Sequence, residues 1–249
     1  MNQSPYFIVG ILALLSGMTT LIGVALAIHS TKSPRSIAFG IGFSTGIMLL
    51  VSFFELLPAA ITTSNLRQAL IALMSGACFL AALHWLIPHT HLFKENGKFI
   101  NVRLIRSAYL VAFGLILHDI PEGFAMANSF LTSPSLGFFV AAAIALHNIP
   151  EEFAIAVPAV TLHNKQFLYK TAFISGLAEP AGAALGLYAA YLSAALVPFF
   201  LGFAAGAMIF VSLHELVPMA KRYCHIHIFV LGITVSILVH VMLTLLLPE

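Results

Sequence analysis

The sequence predicts an all-α integral membrane protein with eight transmembrane helices in a 3+2+3 arrangement and an inverted repeat. Three observations carry this reading. Of 249 residues, 60% are hydrophobic and 8% charged, with a mean hydropathy of +1.01, whereas soluble domains carry about 25% charged residues. Polar punctuation divides the chain into eight apolar segments, each near the roughly 20 helical residues that cross a hydrocarbon core of about 30 Å. The segment from Gly42 to Pro58 also returns as Gly202 to Pro218.

The spans fall near 6–28, 37–60, 68–87, 107–130, 136–160, 167–191, 197–219 and 226–247, and together read as one transmembrane domain over 1–249. The first follows Met-Asn-Gln-Ser-Pro, which has no basic residue, and is too long for a signal-peptide core, so it is expected to stay uncleaved. The second ends at Glu55-Leu-Leu-Pro58, and the third runs into His89-Thr-His91. The fourth and fifth carry His118-Asp-Ile-Pro-Glu122 and His147-Asn-Ile-Pro-Glu151, and the sixth carries Ser175-Gly-Leu-Ala-Glu-Pro180. Only Ser193 and Pro198 mark a turn before the seventh span, and Cys224-His225-Ile-His227 leads into the eighth.

Lys and Arg are distributed unevenly over the connections. Lys32 and Arg35 sit in the first loop, Lys94, Lys98, Arg103 and Arg106 in the third, Lys165 and Lys170 around the fifth, and Lys221 and Arg222 in the seventh. The even loops hold only Arg67. The positive-inside rule assigns the odd loops to the cytoplasm and both termini to the outside. A formal charge of +2 built from so few charges does not suggest a nucleic-acid surface. Cys78 and Cys224 supply no disulfide framework and no thiolate metal site.

The repeat spans more than one helix. Spans two and seven match from Gly42 to Pro58 and from Gly202 to Pro218. Ser16-Gly17 and Gly23 of span one fall on Ser175-Gly176 and Gly182 of span six, and span three precedes span eight by a similar interval. Each copy lies five spans from its partner, so the two run in opposite directions through the bilayer, as in transporters that hold a site at the midplane. Spans four and five form a second antiparallel repeat.

Glu55, Asp119, Glu122, Glu151, Glu152, Glu179 and Glu215 lie within the spans, and no Lys or Arg lies in a span interior to pair with them. At ~2.5–3.5 kcal/mol for each central charge, seven unpaired carboxylates would cost on the order of 20 kcal/mol. Protons or external cations must therefore neutralise them. His118 with Glu122, and His147 with Glu151, are i, i+4 neighbours on one helix face. Pro121 and Pro150 remove an N–H and free carbonyls at Leu117 and Leu146. Nitrogen and oxygen donors without thiolate suit Zn²⁺, Fe²⁺, Mn²⁺, Co²⁺ or Cd²⁺.

His214 and Glu215 extend the candidate metal set, and Glu179 joins it from beside Pro180. Glu55 stands open between a helix-packing hydrogen bond and a functional role. His29, His84, His163 and His240 read as solitary structural residues, and Met48, Met126 and Met208 as core. For His89, His91, His225 and His227 two readings stay open: interfacial histidines satisfied by water and headgroups, or a weak acceptor for departing metal.

The paired His-x-x-Pro-Glu motifs, with Ser175 to Pro180 downstream, resemble the Zrt/Irt-like (ZIP) family of divalent-metal transporters, and most nearly its bacterial zinc-uptake branch. The resemblance implies a binuclear mid-membrane site from His118, Asp119, Glu122, His147, Asn148, Glu151 and Glu179. It also implies broad selectivity among zinc, iron, manganese, cobalt and cadmium, and an elevator-like movement of one helix group against another. Two residues depart from the pattern. Asp119 stands where that branch often has Asn, and Glu152 replaces the Gly that usually closes the second motif. Glu152 is about 100° around the helix from Glu151, which leaves it to serve a second metal, line the path or hydrogen-bond a neighbour.

The expected function is import of divalent transition metals, Zn²⁺ foremost, across the cell membrane, with metal as cargo rather than catalytic cofactor. The expected partners are metal ions and the lipid bilayer, with a homodimer open as an assembly and no nucleic acid. An intramembrane metal-dependent hydrolase or oxidase is the alternative. Against it, Pro218 occupies the place of the second His of a zincin helix after His214-Glu215. A metal sensor would need a soluble output domain.

Overall fold

The computed structural model describes residues 5–29, 33–86, 118–160, 165–223 and 225–247. These form eight helices and no strand: α1 (Pro5–His29), α2 (Pro34–Thr63), α3 (Leu66–Leu86), α4 (118–132), α5 (Pro134–Ala159), α6 (Lys165–Gly176 continuing as Ala178–Leu192), α7 (Leu196–Arg222) and α8 (Ile226–Leu246). Six of them, all but α4 and α6, are long and apolar enough to cross a membrane. The start of the expected fourth span, His89, His91, His163 and Cys224 lie outside the described residues.

Local sequence explains the irregularities. Pro58 and Pro218 offer no N–H to the carbonyls of Phe54 and His214, and both helices widen into a π turn just before them, at Val51–Leu56 and Ser212–Leu216. In α6 the helix breaks at Leu177, one residue after Gly176, the carbonyl that Pro180 leaves without its helical donor. The weakly marked turn between α6 and α7 occupies Ser193 to Ala195.

The helices pack in two groups. In the first, α1 lies along α5 and α6, and α4 packs on α6, where Gly123 meets the Glu179 backbone and Gly182 meets Ile120. In the second, α8 lies along α2 and α3 along α7. The groups meet where α2 crosses α5 and where Phe124 of α4 packs on Phe200 of α7, ring centroids 4.9 Å apart. Gly17 and Gly176, equivalent in the repeat, face each other so closely that a Cβ on either would overlap the other's carbonyl oxygen. A pseudo-twofold axis therefore passes between α1 and α6.

Large apolar side chains such as Trp85, Tyr191 and Leu245 face outward, as a lipid-facing surface requires. Met48, Met126 and Met208 are buried, as expected for core. Three of the most deeply buried side chains are His147, Glu122 and Glu179, so the centre is polar.

Candidate metal centre

The first helix group supplies the donors. His118, Asp119 and Glu122 of α4 each offer one ligand atom within 4.8 Å of the others. Across the helix pair, His118 Nε2 lies 3.0 Å from Glu151 Oε1 of α5 and 3.2 Å from Asp119 Oδ1. His147 Nε2 of α5 lies 3.2 Å from Glu122 Oε1 of α4. The repeat that carries His118 to His147 and Glu122 to Glu151 exchanges these two pairs. The axis between α1 and α6 thus also runs through the donors.

The tautomer of His147 follows from its neighbours. Nδ1 lies 3.0 Å from the Ala143 carbonyl oxygen, which only accepts, so Nδ1 carries the proton and Nε2 the lone pair. That lone pair confronts a carboxylate oxygen. Two acceptors at this distance are satisfied by a proton or a metal cation between them. Glu122 Oε2, Glu151 Oε2, Glu179 Oε2 and His118 Nδ1 are likewise buried with no hydrogen-bond partner among the described residues. Orphaned donors around a buried centre, with no basic side chain among these contacts, fit a divalent ion.

The remaining polar contacts orient this set. Ser175 Oγ of α6 donates to Asp119 Oδ2 at 2.5 Å, and Asn148 Nδ2 donates to Glu179 Oε1 at 2.5 Å. The break in α6 puts Glu179 in the first turn of its second segment. Ser44 Oγ of α2 donates to the His147 carbonyl at 2.9 Å, a bond between the two helix groups. Ser44 and Ser175 were absent from the expected site, although each stands within a repeated motif.

Glu152 is buried but faces α1, where a Cβ on Gly23 would come 2.7 Å from its own Cβ. His214 and Glu215 gather instead around α3: His84 Nδ1 lies 3.4 Å from Glu215 Oε1, and the His84 and His214 rings meet edge to face at 4.6 Å. Two expectations need correction here. His84 and His240 are not solitary, because neighbouring helices bring a carboxylate to each, Glu215 to His84 and Glu55 to His240. His29 bonds its own helix at Ala25. His225 precedes α8, and His227 is exposed in its first turn.

A multi-pass helical protein with inverted symmetry and a buried centre of imidazoles and carboxylates has the build of a secondary transporter. Comparison with known families matches residues 89–245 to the family described as ZIP Zinc transporter. The zinc transporter ZupT of Stenotrophomonas maltophilia is 37% identical over 240 residues, covering 88% of each chain. That of Chlorobium limicola is 38% identical over 255 residues, 93% of this chain and 94% of its own, and that of Akkermansia muciniphila is 33% identical over 262 residues, 96% and 97%. The chain belongs to the ZIP zinc transporter family. It is a transporter and not an enzyme, which disfavours the hydrolase or oxidase alternative.

Proposed function

We propose that the protein imports divalent transition-metal cations into the cytoplasm, Zn²⁺ foremost, with Fe²⁺, Mn²⁺, Co²⁺ and Cd²⁺ as further cargo. The observation that supports this reading is the confrontation of the His147 lone pair with the Glu122 carboxylate, repeated by symmetry at His118 and Glu151. His118, Asp119, Glu122, His147, Asn148, Glu151 and Glu179 are the proposed ligands, and Glu152 lines the α1 side. His214 and Glu215, with His84, stand toward the cytoplasmic end of the path. The whole chain acts as one transporter domain in the cell membrane with both termini outside. The group of α1, α4, α5 and α6 carries the ion past the group of α2, α3, α7 and α8.

The deciding experiment is uptake of several divalent ions by proteoliposomes holding the pure protein, with and without a pH gradient. Glu122→Ala and Glu151→Ala should each abolish most uptake while still inserting at wild-type levels. Normal uptake by both variants would sink the assignment.

A further inference from the structure

A second couple of His–carboxylate contacts lies away from the central cluster. Glu55 stands on the π turn of α2, and His240 of α8 brings Nε2 to 3.4 Å from Glu55 Oε1. Glu215 stands on the π turn of α7 and faces His84 of α3, also at 3.4 Å. The repeat carries Glu55 to Glu215, each on the π turn of its long helix, and each meets a histidine of the neighbouring helix, His240 and His84 standing about one turn apart when the copies are superposed. π turns concentrate at functional positions.

We propose that Glu55 and His240 form a second metal-binding station, displaced from the central cluster toward the Leu246 end, which takes the same class of divalent ion. One imidazole nitrogen and one carboxylate oxygen hold the ion, and water fills its other positions. The proposal rests on the importer reading above.

Distances and surroundings carry it. With bonds of about 2.0–2.2 Å, two ligand atoms on a tetrahedral zinc are separated by roughly 3.4 Å, and Nε2 and Oε1 already stand 3.4 Å apart. The two side chains are 11% and 13% exposed, within reach of a hydrated ion. The ring of Phe54 lies 6.2 Å from the imidazole, and that of Phe139 stands edge-on at 5.2 Å. His240 Nδ1 is buried with no hydrogen-bond partner among the described residues.

Two helices fix the location independently. Phe139 precedes His147 by eight residues on α5, or about 12 Å at 1.5 Å per residue. On α2, Ser44 touches the His147 carbonyl, and Glu55 follows eleven residues later, about 16 Å along the axis. Both point to the same end, where Ser135 Oγ donates to the Leu247 carbonyl at 3.3 Å. The charge distribution makes that end the outer one. The pair belongs to the helix group that carries none of the central ligands, yet it abuts α5 through Phe139. It is a stationary donor beside the travelling one, and two protein ligands hold an ion loosely enough to pass it on.

The test uses the full-length protein in proteoliposomes with Zn²⁺ or Cd²⁺ alone. Glu55→Gln and His240→Gln keep hydrogen-bonding capacity but weaken ligation. The metal concentration for half-maximal uptake should rise roughly tenfold, the scale on which a perturbed metal site loses affinity, with velocity recovered at saturating metal. Equilibrium binding should lose a weak class of sites and keep the tight one. In a background lacking Cys78 and Cys224, Cd²⁺ should slow maleimide labelling of His240→Cys, and Glu55→Gln should remove that protection. This labelling decides the matter even where the Gln variants insert poorly. Unchanged half-saturation and binding, or lower velocity at unchanged half-saturation, would overturn the station, as would labelling indifferent to Cd²⁺. Wild-type protein that moves no metal would defeat the importer reading itself, whereas wild-type uptake with unmoved variants defeats only the station.

Discussion

His147 concentrates the chemistry of the centre in two contacts, one to the Ala143 carbonyl that sets its tautomer and one to Glu122 that exposes the consequence. Protons and metal compete for the same lone pair, so binding should weaken in acid. Metal binding to immobilised protein is expected to fall from near neutral towards pH about 5, where an unperturbed imidazole is largely protonated. Binding that stays flat over that interval would argue against imidazole ligation. The central donors were legible because His and Glu at i, i+4 share a helix face and the motif occurs twice. His84 and His240 were not, since each partner sits on a helix distant in sequence. Their interval from 84 to 240 also differs from that between Glu55 and Glu215. Contact between non-consecutive helices leaves no periodic trace in sequence.

Among the helices, apolar length located most spans to within a few residues: α8 was expected at 226–247 and runs Ile226–Leu246. The π turns were not foreseen, because a proline near a helix end reads equally well as a terminus, and only packing against α8 or α3 carries the chain through it. The α1–α6 contact offers a test of how tightly the first group is built. Gly17→Leu must push apart two backbones that touch, and overpacking costs about 1–3 kcal/mol, whereas Gly10 has open space where a side chain would go. Thermal unfolding in detergent should show a clear loss for Gly17→Leu and almost none for Gly10→Leu. Equal midpoints for the two would mean that the contact does not hold the group together.

Across the seam between the two helix groups, a Cβ on Gly40 of α2 would come 3.1 Å from the Pro150 carbonyl oxygen, itself a tight contact, and Ser44 Oγ donates to the His147 carbonyl. Orientation is testable with single cysteines at Asn2 and Lys98 in a background without Cys78 and Cys224. An impermeant thiol reagent applied to intact cells should reach position 2 and spare position 98; the opposite pattern would invert the topology. The axis through the donors carries a thermodynamic implication. The His–carboxylate pairs that exchange offer an ion the same ligand types from either copy, although Asp119 is answered by Asn148, and a carrier with no energy input of its own sets no net direction. Net direction must come from outside the protein, from the concentration ratio and from a membrane potential worth about 4.6 kcal/mol per 100 mV to a divalent ion, twice the ~2.3 for one charge. Vesicles filled with Zn²⁺ and diluted into metal-free buffer should therefore empty through the same protein, and reversing the potential should reverse the flow.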